Sequence, residues 1–170
     1  MRPIILAAAL AAAACAPERA PDAPQTAPEA PDHSFREGRV WVLDMRETDA
    51  RLAYGTPQTD DVAIMMRCAI NSGELELSFT RGNAAPADAW PFTLRAGGVS
   101  ENYVGEATQI ELGENAVSIT ARAPVTSAPL QALRDAPTLT LEEQGRSVEM
   151  PVTPEQRGDI DRFFAACRER

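Results

Sequence analysis

Polar and apolar residues alternate most clearly between Val62 and Thr80, VAIMMRCAINSGELELSFT. Val62, Ile64, Met66, Cys68 and Ile70 fall on one side of an extended chain, and Leu75, Leu77 and Phe79 on one side of the next. This period of two is the mark of half-buried strands. Pairing Ile70 with Leu75, Cys68 with Leu77 and Met66 with Phe79 collects the apolar side chains on one face. Asn71-Ser72-Gly73-Glu74 is then left as the turn, in which Gly73 supplies a positive φ. Arg67, Glu74, Glu76 and Ser78 project from the opposite face.

The same alternation predicts strands elsewhere. Arg39 to Met45 places Trp41, Leu43 and Met45 together, and Ala50 to Gly55 is a shorter candidate. Thr56 to Asp61 and Arg81 to Asp88 read as loops, rich in turn-forming residues. Trp90 to Arg95 is expected to be an edge strand, because Pro91 has no N–H to give to a ladder. After Gly97-Gly98 the pattern resumes at Val99 to Val104. Gln109 to Leu112 and Ala116 to Ala121 then form a second hairpin around Gly113-Glu114-Asn115, and Thr138 to Leu141 with Ser147 to Val152 a third, turning at Gln144-Gly145.

Two stretches switch to helical spacing. Ser127 to Asp135 begins with a capping residue and Pro129 in its first turn. From Thr153 onward, Thr153, Pro154 and Gln156 compose an N-cap with a capping box, and Ile160, Phe163, Phe164 and Cys167 recur at i, i+3, i+4, i+7. Short strands at close intervals, one short helix and a terminal helix predict a mainly β, α+β domain. The expected architecture is an antiparallel sandwich or small barrel with the second helix packed on the sheet.

The first 34 residues lack such patterning. Residues 1–14 carry Arg2 and then an apolar run too short and alanine-rich to span a membrane, which reads as a signal peptide. Ala16 to Ser34 holds prolines at 17, 21, 24, 28 and 31 and reads as an extended tether reaching about 55 Å. The folded domain is accordingly expected over 35–170. The stretch Leu10-Ala-Ala-Ala-Ala-Cys15 resembles the lipobox of bacterial lipoproteins, with Ala12 where leucine is usual. The resemblance implies cleavage before Cys15, a diacylglycerol on its sulfur, and, with Ala16 following, an address on the periplasmic side of the outer membrane. Cleavage near Ala14 or Ala16 to release a soluble periplasmic protein is the alternative.

Lipidation of Cys15 leaves Cys68 and Cys167 as an even pair in an oxidising compartment. A disulfide between them is expected, since Cys167 shares the helix stripe that would cover the face holding Cys68; two separate buried thiols are the other possibility. All 16 basic residues are arginine, as a GC-rich genome favours, and the net charge of -9 speaks against nucleic acid as a partner. The single histidine, His33, falls in the tether and receives no role. No cofactor or metal motif appears, and no catalytic residue is assigned. Carboxylate chemistry would fall to Asp60-Asp61, Glu142-Glu143 or Glu74 with Glu76, each of which also suits an ordinary turn or solvated face.

Trp41, Trp90 and Tyr103 are the residues chosen as candidates for binding, with Tyr54 as a further aromatic; the loop Arg81 to Trp90 and the Gly97-Gly98 break are positions for partner contact. Trp41, Cys68, Pro129 to Leu133 and Phe163 to Cys167 resemble the layout of type VI secretion accessory lipoproteins. Arg67-Cys68 ahead of a glycine turn, with Tyr103 downstream, is similar to the lysozyme-inhibitor lipoproteins, although their inhibitory loop has no match here. The expected role is a membrane-anchored, non-catalytic module that binds an envelope protein or a peptidoglycan-related partner. A hydrolase inhibitor and a carboxylate-based envelope enzyme are the alternatives.

Overall fold

The computed structural model describes residues 38–111 and 115–169; the expected signal, Cys15 and the tether lie outside them. Nine strands are arranged as β1 (Val40–Met45), β2 (Asp49–Gly55), β3 (Val62–Ala69), β4 (Glu74–Arg81), β5 (Ala87–Ala96), β6 (Val99–Ile110), β7 (Ala116–Pro124), β8 (Thr138–Glu143) and β9 (Arg146–Pro151). Helix α1 (Ala128–Ala132) separates β7 from β8, and α2 (Pro154–Cys167) follows β9. All pairings are antiparallel, in the order β1-β2-β3-β4-β7-β6-β5-β8-β9, and the sheet curls into a nearly closed barrel. Of the two expected architectures, the barrel is the one present.

Alternation decides what the barrel encloses. Leu52 and Tyr54 of β2, Ile64, Met66 and Cys68 of β3, Leu75, Leu77 and Phe79 of β4, and Leu139 and Leu141 of β8 all point inward and are buried. From α2, Ile160, Phe163, Phe164 and Cys167 are fully buried on the inner side of the helix. A fully buried isoleucine or phenylalanine stabilises by about 1.5–3 kcal/mol, so this stripe binds the helix to the sheet. The helix starts as its sequence predicts: Gln156 Oε1 accepts the Thr153 N–H at 3.0 Å.

Five expectations are corrected. Met66 pairs with Leu77 rather than Phe79, a slip of two residues that leaves every side chain on its expected face. The turn is not self-contained: besides the Ser72 N–H bond to Ala69 O at 3.1 Å, Asn71 N–H donates to Ala166 O and Gly73 N–H to Cys167 O, both at 2.8 Å, and these two bonds carry the loop to the end of α2. Met45, at the end of β1, is 46% exposed rather than part of the core. Strand β5 is interior, paired with β6 and β8; its ladder with β8 covers Thr93 to Ala96 and leaves Pro91 outside. Finally, Val99 to Ile110 is one twelve-residue strand, with Gly105 inside it.

Antiparallel order places the turns at two ends. The segments 46–48, 70–73, 97–98 and 125–137 lie at one end, with α1, whose Ala132 Cβ is 3.2 Å from where a Cβ on Gly97 would stand. The segments 56–61, 82–86 and 144–145 lie at the other.

Candidate functional site

All three aromatics chosen from the sequence lie in the core: Trp41 is 3% exposed, Trp90 7% and Tyr103 6%. Trp41 packs on Tyr54 with ring centroids 5.3 Å apart, and among the described residues its indole N–H has no acceptor. Tyr103 stacks on Phe92 at 5.3 Å, and Phe92 meets Phe79 edge-on at 5.1 Å. The Tyr103 hydroxyl hydrogen-bonds Ser127 Oγ, which donates to Glu101 Oε2 at 2.7 Å. Ser127 thus spends its hydroxyl on Tyr103 and Glu101 rather than on capping α1. Burial, chiefly, raises the Tyr103 pKa to about 12; the Ser127 hydrogen bond opposes the shift and Glu101 reinforces it.

Trp90 leads to a feature that alternation alone does not reveal. Its Nε1 donates to Glu143 Oε2 at 2.8 Å, and Arg81 Nε pairs with Glu143 Oε1. Arg81, at the end of β4, lies over the Phe79 ring at 5.1 Å. Strands β4 and β8 are four places apart in the sheet order, so this ion pair crosses the interior of the barrel. One arginine nitrogen, Nη2, is buried with no acceptor among the described residues. The Glu142-Glu143 doublet is consequently divided: Glu143 points inward, while Glu142 points outward to Arg95 at 3.3 Å.

Asp61, Glu74 and Asp49 are similarly engaged. Asp61 Oδ2 accepts from Arg39 Nε at 3.0 Å and from Thr56 Oγ1 at 3.1 Å, and Arg39 Nη2 completes a two-point contact. Glu74 pairs with Arg122 at 3.4 Å. Asp49 pairs with Arg51 at 3.0 Å and Arg67 at 3.5 Å. Desolvation works against the charged form of Asp49, but the Arg51 hydrogen bond and the fields of Arg51, Arg67 and Arg46 hold its pKa below the ordinary value. Among the described residues no group of three His, Cys, Asp or Glu side chains could hold a metal ion, and no helix is long and apolar enough to cross a membrane.

Open space occurs where ladders stop. Beyond Thr93 and Glu142, β5 and β8 are no longer paired, and a cleft of about 680 Å³ lies there, lined by Pro91, Phe92, Tyr103, Val104, Glu143 and Arg146 among others. Val104, 66% exposed, and Pro91 are its apolar outer wall. The second cleft, of about 430 Å³, lies where the β3–β4 ladder ends at Arg67 and Glu76. Here the strands part because the turn between them is hydrogen-bonded to α2, and because Cys68 and Cys167 are joined by a disulfide with Cα atoms 5.7 Å apart. The chain matches no family model, no curated protein and no solved structure. Of the three chosen aromatics only Tyr103 borders a cleft; Trp90 acts through Glu143, and Trp41 is packed elsewhere. Pro91, read from the sequence as a strand-edge residue, lines the first cleft, and the turn that holds Asn71 and Gly73, both at positive φ, borders the second through Ser72.

Proposed function

We propose that this chain is a bacterial envelope lipoprotein, acylated at Cys15 on the periplasmic side of the outer membrane, whose barrel binds another envelope component without catalysis. This reading rests above all on the Cys68–Cys167 disulfide, since such bonds persist in oxidising compartments. Pairing those two leaves Cys15, in its lipobox-like setting, as the third cysteine of the sequence. A barrel interior filled by aliphatic and aromatic side chains favours binding through the outer clefts and loops. Carboxylates occupied by arginine favour a binding role over acid–base work.

The test begins with growth of producing cells on an alkyne-tagged palmitate. Label is expected on the wild-type chain in the membrane fraction, and Cys15→Ser is expected to lose it and become soluble. Crosslinking in intact cells should then trap an envelope protein or peptidoglycan fragment. An unlabelled, soluble wild-type chain with two freely alkylatable thiols would overturn the proposal.

A further inference from the structure

The cleft between β3 and β4 carries an arrangement of charge that internal pairing does not use up. Register places Arg51 of β2 opposite Arg67 of β3, Arg67 opposite Glu76 of β4, and Glu76 opposite Arg122 of β7. Neighbouring strands are about 4.8 Å apart, so Glu76 stands between two arginines. Yet it pairs with neither: Arg67 is drawn to Asp49, which it shares with Arg51, and Arg122 to Glu74. Arg67 engages Asp49 through Nε, which leaves both its Nη atoms without a partner among the described residues. A carboxylate unpaired among the described residues and an open guanidinium fork therefore flank one cleft, whose volume of about 430 Å³ is within the range of small-molecule sites.

We propose that this cleft binds a small zwitterion, an α-amino acid or short peptide whose ammonium group meets Glu76 and whose carboxylate meets the Nη atoms of Arg67. Charge balance selects a dipolar ligand. A simple anion would meet Asp49, Glu74 and Glu76 beside the arginines, and a simple cation would meet Arg67 and Arg122 beside the carboxylates; a ligand with both ends satisfies both. A guanidinium fork suits a carboxylate because it offers two parallel N–H groups. The proposal deepens the binding role argued above by giving one site its ligand class.

The test titrates the purified, ¹⁵N-labelled full-length chain with alanyl-alanine and follows backbone amide shifts. Saturable shifts are expected at residues 67–69 and 74–76, at concentrations of about 1–10 mM, as exposed ion pairs imply. Blocking the peptide's ammonium by acetylation or its carboxylate as an amide should each weaken binding about fivefold, and so should Glu76→Gln and Arg67→Gln. No saturable shift, equal binding of the blocked peptides, or equal saturation by inorganic phosphate would overturn it. The blocked peptides act on the wild-type chain, so they decide the matter even if a variant fails to fold. Acylation and fractionation play no part in the titration, so its failure is distinguishable from failure of the lipoprotein reading.

Discussion

Breaking the Cys68–Cys167 disulfide should cost more than any single packing contact in the domain. The sulfurs join residues separated by 99 positions, and closing a loop of about 100 residues removes about 4.7 kcal/mol of chain entropy from the unfolded state at 25 °C. With a melting entropy of about 2.1 cal/mol/K per residue, about 130 ordered residues give about 0.27 kcal/mol/K, so the melting temperature should fall by about 17 °C. The native fold should survive: Asn71 and Gly73 still donate to Ala166 and Cys167, and Ile160, Phe163 and Phe164 still hold α2 against the sheet. The assay is thermal unfolding of the full-length chain by circular dichroism, with and without reductant, alongside Cys68→Ala/Cys167→Ala. Reductant should lower the wild-type midpoint and leave that of the double variant unmoved. A wild-type chain and double variant melting within about 3 °C of each other in oxidising buffer would refute the reasoning.

Glu143→Gln removes the charge that compensates Arg81 inside the barrel, and should cost about 3–5 kcal/mol in the urea midpoint; Arg81→Met/Glu143→Leu should recover most of the loss. Gly105→Ala would bring a Cβ to 2.7 Å from Ile119 Cγ2 and 3.0 Å from Thr120 O, a clash expected to cost about 1–3 kcal/mol in the same measurement. Tyr54 and Tyr103 both have pKa values raised above 10.0, chiefly by burial. Absorbance at 295 nm should thus show the native chain ionising late, and Tyr103→Phe should delete the component near 12. Because Tyr103 keeps its proton in the fold where the unfolded chain loses it, its stabilising contribution is complete below pH 10 and drains away between pH 10 and about 12; Tyr103→Phe should flatten that decline.

Strand identities, the capped terminal helix and the cysteine pairing were legible because each is written in a local period. Ile64, Met66 and Cys68 alternate, Ile160 to Cys167 recur helically, and both patterns point at the same interior. The register of the β3–β4 pair was not legible, since a slip of two keeps the alternation intact and the deciding hydrogen bonds come from residues about 95 positions away. The expected strands stop at Val104 and resume at Gln109, whereas Gly105 between them lies within one continuous strand, its missing side chain making room for Ile119. Pro91 pointed to an edge strand, but β5 is interior: its ladder with β8 stops at Thr93, short of Pro91, while the ladder with β6 runs through Pro91 and Val104. For the sites, aromatic identity was a poor guide, because Trp41, Trp90 and Tyr103 serve the core. The clefts arise where pairing ends, and that is settled between distant segments.

The tie between the β3–β4 turn and the end of α2 also sets an order of events in time. Adjacent strands can zip into hairpins early, but the inner faces of β1 and β2, on which α2 packs, stay uncovered until that last segment of the domain arrives. Non-local closure of this kind is slow, and uncovered apolar strands invite self-association meanwhile. The nascent barrel therefore passes through a vulnerable interval that only its final helix can end.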